Sequence, residues 1–189
     1  LRDEILDNVI RPTITGMAAE DREYRGILYA GLMLTADGPK VLEFKSRLGD
    51  PETQSVLRRF DGDLATVFSD AAQGRLEQGC MAWKDEITAC VVVAAENSPD
   101  SPRLGDEIDG VAEAEALPGV VVFHAGTRRD GSRLLTSGGR VLSVTATGES
   151  LADALDLAYR GARRIRIRGS HIRSDIGADT LEMRGRTEG

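Results

Sequence analysis

Residues 39–54, PKVLEFKSRLGDPETQ, read as a strand that leaves through a tight Gly-Asp-Pro turn and enters a helix. Successive side chains of a strand point to opposite faces. Strict alternation therefore puts Val41, Glu43, Lys45 and Arg47 on one face and Leu42, Phe44, Ser46 and Leu48 on the other. A face carrying carboxylate, ammonium and guanidinium in succession suits a polar cleft that holds phosphates and a metal ion. An edge strand with a solvated outer face fits the same alternation.

Upstream, residues 26–35 (GILYAGLMLT) form an apolar run of strand length, and Ala36-Asp37-Gly38-Pro39 is a turn. The two strands make an antiparallel hairpin. Before them, Leu1, Ile5, Leu6 and Val9 have helical spacing, with an end expected at Arg11-Pro12. Residues 13–24 read as a polar connection. Downstream, Asp50-Pro51 starts a helix to about Phe60, with Asp50 as cap. Asp63 caps a second helix that Gly74 closes.

Beyond Trp83 the pattern changes to buried strands at residues 87–95, 119–126 and 139–147, separated by a loop at 96–103. Ser150 and Asp153 open a helix with a capping-box pattern. Leu151, Ala154, Leu155, Ala158 and Tyr159 supply its buried stripe. RIRIR at 164–168 alternates as a half-buried strand, its arginines on a solvated face. The tail from Thr180 reads as frayed. The division between a hairpin-plus-helices half and a sheet-plus-helix half falls near Gly79.

With 189 residues the chain is long enough for one domain or two small ones. A net charge of −7 argues against a general nucleic-acid or membrane-surface binder. A nucleic-acid groove wants interleaved aromatics, and only 4% of these residues are aromatic. Cys80 and Cys90 lack metal-ligand spacing and read as reduced thiols of a cytoplasmic protein. No run approaches the ~20 apolar residues of a membrane helix. The chain begins at Leu1, inside what reads as a helix, which fits an excerpt of a longer polypeptide and equally a processed start.

From the residues alone, Glu43 is the leading candidate metal ligand, because magnesium takes hard oxygen ligands and keeps phosphates in its shell. Arg47 suits a phosphate or carboxylate gripped by two parallel hydrogen bonds. The turn Leu48-Gly49-Asp50 leads into a helix N-terminus, an anion-favouring place, although Asp50 and Glu52 oppose a bare anion there. His124 and His171 read as structural. Gly138, Gly139 and Arg140 read as a strand-entry turn or a ligand approach, and Arg173 with Asp175 as an ion pair.

RGILYAGLMLTADGPKVLEF (25–44) and RLGDPETQ (47–54) resemble the phosphoribosylamine–glycine ligase family, or glycinamide ribonucleotide synthetases, of the ATP-grasp superfamily. The likeness continues through Trp83-Lys84-Asp85, VVVFHAGT (120–127), SGGRVLSVTA (137–146) and RSDIG (173–177). These blocks follow family order over nearly the whole chain and match the C-terminal part only. The resemblance implies a mixed α/β (α+β) fold. Residues 1–79 would be the second half of an ATP-grasp module, and 80–189 a small C-terminal β-sheet domain with one packed helix.

It further implies a ligase of de novo purine biosynthesis, using ATP and Mg2+ (or Mn2+) to join phosphoribosylamine to glycine through a glycyl phosphate. Glu43 would be the metal ligand. Arg47 would face the acyl phosphate as the catalytic cation, with Gly49, Asp50, Pro51 and Glu52 shaping that wall. The nucleotide lid and its lysine would lie in a missing N-terminal half.

Two departures stand out. Lys45 occupies the position of the family's asparagine, the second metal ligand. A protonated lysine has only donors, so it either sets a fixed charge near the phosphates or pairs with Glu43. Losing one such contact is worth roughly 3 kcal/mol, about 10²-fold in rate. The loop after Ala95 reads ENSPDSPRLGDEI, where the family carries a glycine-rich tyrosine-proline loop. These departures keep open an alternative, a non-catalytic relative acting as a binding module.

Overall fold

The computed structural model of the protein describes residues 1–77 and 79–181, a mixture of helices and strands as expected. It divides into two compact units. One comprises residues 1–50 and 61–82, and the other comprises 51–60 and 83 onward.

At the N-terminus, α1 (Arg2–Ile5), a π-helical turn (Leu6–Ile10) and α2 (Arg11–Ala19) follow one another without a break. The sequence places a helix end at Arg11-Pro12, but Ile10 and Arg11 keep helical dihedrals and Pro12 sits in the first turn of α2. Proline removes an N–H and crowds the carbonyl four residues earlier. The wider π turn just before it relieves that crowding, and part of the expected polar connection is therefore helical.

The hairpin is β1 (Tyr29–Thr35) paired antiparallel with β2 (Gly38–Lys45). Its turn is fixed by Thr35, whose hydroxyl accepts from Asp37 N–H at 3.2 Å and donates to Gly38 O at 2.9 Å. Strict alternation fails inside β2. Gly31 lies opposite Glu43 and Leu32 opposite Val41, so Leu42 is an extra, bulged residue. Cross-strand partners share a face. The bulge thus moves Val41 off the face of Glu43 and Lys45.

Next come α3 (Glu52–Arg59), β3 (Phe60–Asp61), α4 (Leu64–Gln73) and β4 (Ala82–Trp83), with β3 paired to β4. Pro51, not Asp50, stands at the cap of α3, and no side-chain cap bond forms there. Pro51 lies outside helical dihedrals, which shifts the helix start one residue later. At α4 the cap is the expected one. Asp63 accepts from Ala65 N–H at 2.9 Å, Thr66 N–H at 3.3 Å and Thr66 Oγ1 at 2.7 Å. Those bonds, the Thr66 hydroxyl first, hold its carboxyl below the usual range. Gly74 closes α4 at φ 68°.

The second unit contains β5 (Ile87–Ala94), α5 (Val111–Glu115), β6 (Val120–His124), β7 (Thr127–Asp130), β8 (Arg133–Thr136), β9 (Arg140–Gly148) and α6 (Leu151–Ala162). The order β5-β9-β6 is antiparallel throughout, and β7 with β8 is a separate hairpin. Val91, Val144 and Val122 are cross-strand partners on one face. That face meets α6, where the missing side chain of Gly161 lets Val144 and Val120 close in. Thr88, on the other face, donates to the Ser55 carbonyl of α3 at 3.1 Å. The sheet is therefore sandwiched, which explains why α3 groups with it rather than with the hairpin.

Ser150 and Asp153 form the full capping box of α6. Tyr159 of that helix donates to Arg173 O at 2.9 Å and accepts from Ile176 N–H at 3.1 Å, tying down RSDIG. RIRIR is not a strand but a single bridge at Arg166. Its alternation still holds, with Ile165 and Ile167 buried and the arginines exposed. Neither Cys80 nor Cys90 is in a disulfide. Most of the tail expected to fray lies outside the described residues. Among those described, no helix is long and apolar enough to cross a membrane.

Candidate functional site

The hairpin gathers four residues over one face. Tyr29 lies opposite Lys45, and Gly31 opposite Glu43. Lys45 Nζ is 2.9 Å from Glu43 Oε1 and 4.8 Å from the centroid of the Tyr29 ring, a cation–π distance. Glu43 reaches back because Gly31 leaves room. A Cβ there would fall 2.9 Å from Glu43 Cγ and 3.4 Å from Oε1. The Lys45 side chain is 26% exposed and that of Glu43 is 53% exposed. The bulge makes this geometry, and neither Tyr29 nor Gly31 was singled out from the sequence. Reading the hairpin register across the strands is the signal that finds them.

Arg47 lies past the end of β2, and its Nη1 donates to Leu48 O at 2.8 Å. It lines a groove of about 410 Å³ with Arg25, Ile27, Leu48, Phe68 and Ala72. Glu43 is not part of that lining. Arg25 is fixed there by the C-terminal carbonyl of α4, with Nη1 3.2 Å from Gln73 O, and by Glu23 at 3.0 Å. The groove thus has an apolar floor and two guanidiniums, an arrangement suited to a ligand with an anionic end. Gly49 is buried and Asp50 half-buried.

Other candidates make contacts within the fold. His124 Nδ1 is 3.1 Å from Thr127 Oγ1, and His171 pairs through its backbone with Ala94. Arg173 and Asp175 form a two-bonded pair at 2.9 and 2.6 Å. The Arg173 guanidinium holds the Asp175 carboxyl below the usual range. Likewise Arg166 grips Glu113 at 2.7 and 3.1 Å and lowers that carboxyl.

These residues do not fit the metal ion that the resemblance implies. Among the described residues no group of three or more His, Cys, Asp or Glu side chains converges. The one carboxylate of the hairpin face is committed to an ammonium, which cannot ligate a cation.

Comparison with known proteins agrees with the fold. Residues 1–53 match the family "Phosphoribosylglycinamide synthetase, ATP-grasp (A) domain", and 88–179 match "Phosphoribosylglycinamide synthetase, C domain". A phosphoribosylamine–glycine ligase of Caulobacter vibrioides is 46% identical over 97% of this chain and 43% of its own length. The crystal structure of such a ligase from Thermotoga maritima superposes with a TM-score of 0.77 at 32% identity, covering 90% of this chain and 41% of that one. N5-carboxyaminoimidazole ribonucleotide synthetase of the same organism shares the fold, with a TM-score of 0.56 at 18% identity over 84% of this chain and 41% of that one.

The architecture is thus that of the C-terminal side of an ATP-grasp ligase. The chain belongs to the phosphoribosylamine–glycine ligase family and corresponds to its C-terminal part. It spans less than half the length of the curated relatives it matches.

Proposed function

We propose that the whole protein to which this chain belongs joins phosphoribosylamine to glycine at the expense of ATP, in the cytoplasm. The glycine carboxylate takes the terminal phosphoryl group, releasing ADP. The amine then attacks the acyl carbon and expels phosphate. The carrying observation is 46% identity to a ligase of that name along 97% of the chain.

Within this reading, residues 1–79 complete an ATP-grasp module and 80–189 form the small C-terminal domain. Arg47 faces the transferred phosphoryl and acyl-phosphate oxygens as a preorganised cation, with Gly49 and Asp50 shaping the wall beside it. Magnesium would enter with the nucleotide phosphates and not through Glu43. The lid and the remaining nucleotide contacts belong to the N-terminal half.

The test is the full-length protein with ATP, glycine and phosphoribosylamine. Release of ADP and phosphate that requires both other substrates is expected, and Arg47→Ala should lower it by about 10²-fold. Absence of substrate-dependent release would reject the reading in favour of a non-catalytic binding module. The Glu43–Lys45 pair is the observation that favours that second reading.

A further inference from the structure

We propose that the β1–β2 hairpin excludes divalent cations where Glu43 stands, because Lys45 is a built-in cation that occupies the one carboxylate the two strands themselves carry. Three features make this a built arrangement rather than a chance surface pair. The Tyr29 ring also holds Lys45, with its centroid 4.8 Å from Nζ. Its side chain is about three-quarters buried, at 26% exposure, so little freedom remains for it to swing away. Gly31 supplies the vacancy over which Glu43 folds back, since a Cβ at that position would meet Glu43 Cγ at 2.9 Å.

The chemistry follows from charge and donor count. A divalent ion needs several hard oxygen ligands. Here Glu43 Oε1 is 2.9 Å from an ammonium, so an arriving ion meets a fixed positive charge and only one carboxylate. This inference concerns the Glu43–Lys45 pair and not the Arg47 groove on which the proposed ligase activity draws. Its test reads metal binding without turnover, so either can fail while the other stands.

The experiment is Mn2+ titration of the 189-residue chain, followed by the paramagnetic resonance of free Mn2+. The quantity read is the part of binding that Glu43→Gln abolishes. In the natural sequence that part should be nil. In Lys45→Asn, which replaces the ammonium by a carbonyl oxygen, it should appear, and in Lys45→Met, which only removes the like charge, it should appear with about tenfold weaker affinity. Glu43-dependent Mn2+ binding by the natural sequence would overturn the proposal. So would its absence from both Lys45 variants when their circular dichroism matches that of the parent chain.

Discussion

Two strands of similar composition meet opposite fates. β2 reads GPKVLEFK and β9 reads RVLSVTATG, each with branched aliphatics in the middle. In β9 Val141, Leu142 and Val144 are completely buried, whereas in β2 Leu42 is 65% exposed and Phe44 is 44% exposed. The difference is position. β9 is the central strand of its sheet, with α6 on one face and α3 on the other, so both faces and both edges are covered. β2 belongs to a two-stranded ribbon, a form that is marginal in water by itself. Apolar content makes burial favourable, but only the neighbouring layers deliver it. The clustered core of described residues accordingly lies wholly in the second unit.

The contrast can be broken most directly by truncating matched side chains. Leu142→Ala should cost about 2–5 kcal/mol, since a fully buried leucine leaves a cavity. Leu42→Ala should change stability by no more than about 0.5 kcal/mol. Urea denaturation of both variants checks this, and equal losses would mean that the hairpin is as well packed as the sheet. Next in size, Gly161→Val should cost about 1–3 kcal/mol. Its Cβ would come within 2.8 Å of Val144 Cγ1, so the helix must lift off the sheet.

Smaller effects sharpen the comparison at the helix ends. Ser150→Ala removes half of the capping box of α6 and should cost about 1 kcal/mol by thermal or urea unfolding. In the first unit the corresponding test is acid. Asp63 has a carboxyl lowered by its Thr66 and backbone hydrogen bonds, so its protonation is disfavoured in the folded state. Its contribution is therefore fully present above the unfolded carboxyl value of about 3.9 and disappears as pH falls through the depressed folded value. The amide resonances of Ala65 and Thr66 should hold steady down to about pH 4 and shift below it. A midpoint above that value would contradict the cap.

Much of the second unit was legible because its signals are local. The apolar runs around Val91, Val122 and Val144, and the Ser150–Asp153 spacing, each specify an element without help from distant residues. One local signal is obscured by charge. Gly131-Ser132 between Thr127–Asp130 and Arg133–Thr136 is a two-residue hairpin turn. Its charged strands, with Arg128, Arg129 and Arg133, lack the apolar alternation that usually marks a hairpin. The π turn before Pro12 is harder. It depends on how the backbone relieves a proline, and residue preferences alone predict a stop there.

By itself the sequence determined the family, the β1–β2 hairpin, the strands that became β5, β6 and β9, the caps at Asp63 and Ser150, and the presence of one carboxylate and two cations between residues 43 and 47. These follow from residue type and short spacing, which act along the chain. Only the tertiary structure decided which of those charges face one another. The bulge at Leu42 shifted the register, Gly31 opened a space, and the ring of Tyr29 held Lys45 against Glu43, while Arg47 turned to a groove with Arg25. Pairing across strands sets those distances, and one extra residue is enough to reassign a whole face.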